Sequence, residues 1–148
     1  MARVDIKVTE IGSQAVIAKL SGTMKRMGDL TPALKKGGIM MLRSIHLNFQ
    51  QGGRPIPWRM LAASTLIQKL KKGYSFMPLI RTGQLRQSIV YDVRYRRKLA
   101  VGTSVKYAKF HHFGTRRMPK RRFVMFQLQD VKRINQLVLE HITGKSQV

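Results

Sequence analysis

The chain has 148 residues and no cysteine, and its 29 Lys/Arg against 6 Asp/Glu give a net charge of +23. No apolar run of about 18 residues could span a membrane, and the first ten residues lack a secretion signal's apolar core, so no cleaved leader is expected. Disulfides and thiolate metal sites are excluded; the 43% hydrophobic content suffices for one domain's core, and the charge calls for an anionic neighbour, nucleic acid before acidic protein.

Val4, Ile6 and Val8 alternate with polar residues, which predicts a half-buried strand. Ile17, Leu20, Met24 and Met27 recur at helical spacing. A second helix is expected from Thr31 as N-cap and Pro32 at the first helical position. Leu34, Met41, Leu42, Ile45 and Phe49 give it an apolar stripe. Gly37-Gly38 inside it implies either close packing or a bend.

The glycines and prolines of QQGGRPIPW predict a loop. A helix is then expected from Trp58 to about Leu70, with Trp58, Leu61, Leu66 and Leu70 facing inward. KKGYSFMP reads as a second loop, whose Tyr74, Phe76 and Met77 either fold back on the core or meet a partner. Ile89, Tyr91, Val93 and Tyr95 share one strand face, Arg96-Arg97-Lys98 makes a basic turn, and LAVGTS returns as a second strand. A third strand is expected over Phe123 to Phe126, then a final helix capped by Asp130, with Val131, Ile134, Val138 and Ile142 on one face, ending near Gly144. The expected architecture is α+β, a small mixed or antiparallel sheet packed against helices. It forms one domain over residues 1–148, with a core in 30–142 and an N-terminal strand and helix in 1–28 free to move.

Catalytic chemistry finds little support. His111 and His112 are adjacent, so they diverge on either a strand or a helix, and neither has an acid nearby in sequence. The expectation is a packed histidine and a surface one. There is no nucleophile elbow and no glycine-rich phosphate loop, and the basic half offers almost no carboxylates to hold magnesium. Between Asp92 and Asp130 stand eleven Lys/Arg and no acid. Arg94, Arg96, Arg97, Lys98, Arg116, Arg117, Lys120, Arg121 and Arg122 are the candidate partner- or DNA-binding residues. Without a recognisable base-reading motif, such binding would be electrostatic and independent of sequence.

Five short motifs follow one another in order. They are Trp58-x-x-Leu61-x-x-x-Thr65, Leu79-Ile80-x-Thr82-Gly83-x-Leu85-x-x-Ser88-Ile89, Val101-Gly102-Thr103, Tyr107-Ala108-x-x-His111-x-Phe113-Gly114, and Met118-Pro119-x-Arg121-x-Phe123. The series resembles the phage virion morphogenesis family, the tail completion proteins of tailed bacteriophages, over roughly Phe49 to Ile142. Physically these positions read as a fold signature. Thr82 can cap a turn at Gly83, Gly102 can let a strand bend or a neighbour approach, Gly114 ends an aromatic segment, and Pro119 fixes the chain before Phe123.

The resemblance implies a non-enzymatic virion component without a cofactor, assembled in the host cytoplasm. Such proteins form a ring, six-membered by family resemblance, at the head–tail junction. The ring stops the tail tube, meets the tube protein and the head connector, and lets DNA through its lumen. A head-side adaptor and a free, sequence-independent nucleic-acid-binding protein are the alternatives. No membrane partner is expected.

Overall fold

The computed structural model describes residues 13–145, so the strand expected over residues 4–8 lies outside them. Among the described residues six helices and one two-stranded antiparallel sheet make an α+β fold. The helices are α1 (Ser13–Gly28), α2 (Thr31–Gln51), α3 (Ala63–Lys71), α4 (Gln84–Gln87), α5 (Ala108–Phe113) and α6 (Leu128–Thr143). Strand β1 (Ile89–Arg94) pairs with β2 (Lys98–Thr103) in the register Ile89↔Thr103 to Arg94↔Lys98.

Helix α2 is the axis of the molecule, packing on β1, β2 and α6. It starts one residue earlier than expected. Leu30 is the N-cap, and the Asp29 carboxylate accepts from the Thr31 N–H at 3.0 Å. Hydrogen bonds from Thr31 hold the Asp29 carboxyl below its ordinary pKa. The Gly37-Gly38 pair resolves as close packing, since a Cβ on Gly38 would lie 2.3 Å from the Tyr91 ring. Met41, Ile45 and Phe49 join Trp58, Leu85, Ile89, Ala108 and Phe123 in the core. Phe49 meets Trp58 edge-on and Phe123 at a tilt, both with centroids 5.6 Å away. Burying each such side chain is worth about 1.5–3 kcal/mol.

A polar hub crosses this core. Asn48, wholly buried, donates to the Phe123 carbonyl at 3.1 Å and accepts from Arg54 Nε at 2.8 Å. Arg54 Nη2 reaches the Ser44 carbonyl at 2.6 Å and its hydroxyl at 2.8 Å. The Ser44 hydroxyl in turn donates to Asp130. Gln127 Nε2 closes the circuit on the Arg54 carbonyl at 3.0 Å. Helix α2, the glycine–proline loop and the start of α6 are thereby fixed to one another.

That hub explains two departures from expectation. Residues 123–126 form no third strand, because side chains claim backbone oxygens there: Asn48 takes that of Phe123, and the Trp58 indole that of Arg122 at 3.2 Å. Trp58 is buried as expected, but in a loop, not in a helix. Its N–H goes to the Gly52 carbonyl at 2.6 Å, and the Arg59 and Met60 carbonyls accept from Arg121. Helix α3 therefore begins only at Ala63, with Leu66 half-buried and Leu70 exposed. At α6, Gln127 is the N-cap and Asp130 the third helical residue, the two completing a reciprocal capping box. Its expected face is half-buried at Ile134, Val138 and Ile142 and exposed at Val131. Gly144 ends it in the left-handed conformation.

Candidate functional site

The β1–β2 hairpin positions the first basic cluster. Tyr95 and Arg96 both have positive φ, at 53° and 59°, and the Arg97 N–H returns to the Arg94 carbonyl at 3.3 Å. Such a turn suits Asn and Gly, and a larger residue costs about 1–2 kcal/mol at each position. Tyr95 is thus a turn residue, 89% exposed, and not the core-facing strand residue that alternation predicts. The strand pattern continues into the turn in sequence, but the chain reverses first. Arg94, Arg96, Arg97 and Lys98 are all exposed around it. The Arg96 carbonyl accepts from the Leu30 N–H at 2.9 Å, which pins the tip to the α1–α2 corner. Asp92 pairs with Arg94 at 2.9 Å, an exposed bridge worth under about 1 kcal/mol.

The second cluster lies on the turn after α5. A Cβ on Gly114, whose φ is +78°, would lie 2.8 Å from the Lys120 nitrogen, so only glycine lets the chain fold back there. Thr115 and Met118 bridge across the turn, leaving Arg116, Arg117, Lys120 and Arg122 exposed. Arg121 departs from expectation. It is only 6% exposed, and its Nε and Nη2 donate to the Arg59 carbonyl at 3.1 and 2.9 Å. Its own N–H donates to the His111 carbonyl at 2.8 Å. It ties three segments together and offers nothing to a partner.

Both histidines are half-buried on α5, so neither is a simple surface residue. His111 stands edge-on to Tyr107 at 5.8 Å, with a buried Nδ1 that has no hydrogen-bond partner. His112 packs between Phe113 and Phe123. Burial lowers the pKa of each, helped by Arg121 for His111 and by Arg122 for His112. Among the described residues no three His, Asp or Glu side chains gather where a metal could bind.

The other signature positions serve the fold in different ways. Leu85 and Phe123 are buried, and Gly83 caps α4 in the left-handed conformation. Thr82 makes no side-chain cap to α4. Gly102 pairs with Val90, and nothing stands within 4 Å of where its Cβ would be, so no neighbour's close approach requires it. Tyr107 reaches Gln84 at 3.4 Å, Pro119 is half-buried on the basic turn, and Phe113 is exposed. A cleft of about 510 Å³ separates Lys69, Tyr74 and Arg81 from Tyr107 and His111. Lys69 donates to the Met77 and Ile80 carbonyls at 2.8 and 2.7 Å. The loop after α3 is thereby folded back at Tyr74 and Met77 while Phe76 faces outward.

Helix α1 carries the third surface feature. Val16, Ile17, Leu20, Met24 and Met27 are all exposed. The helix is held near its C-terminal end, where Arg26 Nε donates to the Ile142 carbonyl of α6 at 2.9 Å.

No curated protein and no solved structure shows significant similarity to the chain. The family model for phage virion morphogenesis proteins matches residues 11–143, reaching far beyond Phe49 to take in α1 and α2. No described helix is long and apolar enough to cross a membrane. The chain belongs to the phage virion morphogenesis family.

Proposed function

We propose that the protein is a ring-forming subunit of the phage head–tail junction, ending the tail tube and joining it to the head connector while DNA threads the lumen. Family membership supports a role in building the virion. The observation that carries the finer reading is the apolar row on α1. Five large apolar side chains stay exposed on one helix of a chain with a net charge of +23. Contact with a neighbouring subunit would cover such a row. Anionic partners would offset the self-repulsion of the cations. In this reading the hairpin tip and the turn at residues 116–122 face DNA or an acidic neighbouring ring, and no catalytic step is assigned.

Light scattering across salt concentrations, with negative-stain images of the same sample, tests the reading. A discrete closed ring, of six subunits by family resemblance, is expected. A monomer at every salt concentration that also fails to enter tails overturns it. Neutralising Arg96, Arg97, Lys98, Arg116, Arg117, Lys120 and Arg122 is expected to block head–tail joining with the fold intact.

A further inference from the structure

The hairpin tip holds an expensive residue with no internal use. Tyr95 is the most exposed large side chain with apolar surface among the described residues, so its ring adds nothing to the core. Its positive φ would suit Asn or Gly better, so the ring does not serve the turn either. What it can offer is an aromatic face to something outside the chain.

The surroundings narrow what that is. Arg96, Arg97 and Lys98 follow Tyr95 in the chain and are all exposed, and the one acid on these strands, Asp92, is already paired with Arg94. The ladder behind the turn and the Leu30–Arg96 hydrogen bond set the tip's backbone before any partner arrives. Pre-organisation of this kind lowers the ordering cost of binding. An acidic protein surface would be met by the cations alone and gives no use to a strained, exposed ring. A duplex hides the faces of its bases. A single strand offers both bare base faces and phosphates.

We propose that the β1–β2 turn is a prong for unpaired nucleic-acid bases. The Tyr95 ring stacks on an exposed base, and Arg96, Arg97 and Lys98 hold the adjoining phosphates. The inference is independent of the junction reading: a protein that forms no ring but passes the test below keeps the prong and loses the junction.

The test titrates the full-length chain with a labelled oligothymidylate of about 16 nucleotides, a duplex of the same length, and polyglutamate. Tyr95→Asn removes the ring yet suits the turn, so it is expected to melt no lower than the parent, while Tyr95→Phe keeps the stacking face. Tyr95→Asn should weaken oligothymidylate binding about tenfold, with an unchanged salt slope and little effect on the duplex. Tyr95→Phe should bind as the parent does. Arg96→Ala should instead lower the salt slope by about one. The proposal falls if the parent does not bind oligothymidylate or if Tyr95→Asn binds it unchanged. Equal losses on oligothymidylate, duplex and polyglutamate would also overturn it, because the ring would then have no preference for a bare base.

Discussion

Helices α1 and α2 follow one another along the chain, both carry apolar side chains at helical spacing, and they meet opposite fates. Met41, Ile45 and Phe49 on α2 are wholly buried, whereas Met24 on α1 is 71% exposed. Helix α2 is covered by both the hairpin and α6, while α1 packs on α6 near a single end. Apolar periodicity declares that a face is to be covered; it does not say whether the cover comes from the same chain.

The contrast can be broken by substitution. Phe49→Ala removes a ring packed against Trp58 and Phe123 and is expected to cost about 3–5 kcal/mol in urea unfolding. Met24→Ser should change the subunit's own stability by less than about 0.5 kcal/mol and weaken assembly instead. A loss at Met24 rivalling that at Phe49 would mean that α1 belongs to the same core after all.

The glycines sharpen the comparison at smaller magnitude. Gly38→Ala drives a methyl into the Tyr91 ring and should cost about 1–3 kcal/mol. On α1 the nearest atom to a Cβ at Gly22 is in the Arg26 guanidinium at 3.5 Å, an ordinary van der Waals distance. Gly22→Ala should therefore stabilise by about 0.5–1 kcal/mol, read as a higher melting temperature. The same exchange changes sign between the two helices.

The smallest expected effect is one of pH. The folded pKa values of His111 and His112 lie below the ordinary 6.5, so the unfolded chain takes up protons that the folded one resists. Their stabilising contribution is complete above about pH 6.5 and lost as pH falls toward the folded values. Melting curves from pH 7.5 to 5 should show this decline, and His111→Gln with His112→Gln should flatten it.

Much of this was legible in the sequence for a plain reason: alternation from Ile89 and the return at Leu99 are local, so the hairpin could be read directly. The illegible parts were long-range. Trp58 heads no helix because Arg121, 62 residues beyond Arg59, claims the carbonyl a helix would need. Phe123 joins no sheet because Asn48, 75 residues earlier, has taken its oxygen. Tyr95 misled because a strand's alternation carries no mark of where the chain reverses. The candidate cations were visible as a cluster, but not that Arg121 turns inward while its neighbours Lys120 and Arg122 face out. The five ordered motifs pointed to the family, and the plain helices α1 and α2 hid how far toward the N-terminus the likeness extends.

Arg54 and Arg121 separate charge from shape. Exchanging every arginine for lysine would leave the formal charge at +23. At Arg116 and Arg117 the exchange should be silent, because a solvated cation is all that stands there. At Arg54 one planar fork reaches Asn48 through Nε and Ser44 through Nη2, and at Arg121 another grips the Arg59 carbonyl with two nitrogens. A lysine holds its donors on one nitrogen at the end of a flexible stem, so it would replace neither the two-point grip of Arg54 on Asn48 and Ser44 nor the two-donor grip of Arg121 on one carbonyl. The fold uses these two guanidiniums as rivets, so the lysine-for-arginine protein would keep its electrophoretic mobility and lose its melting temperature.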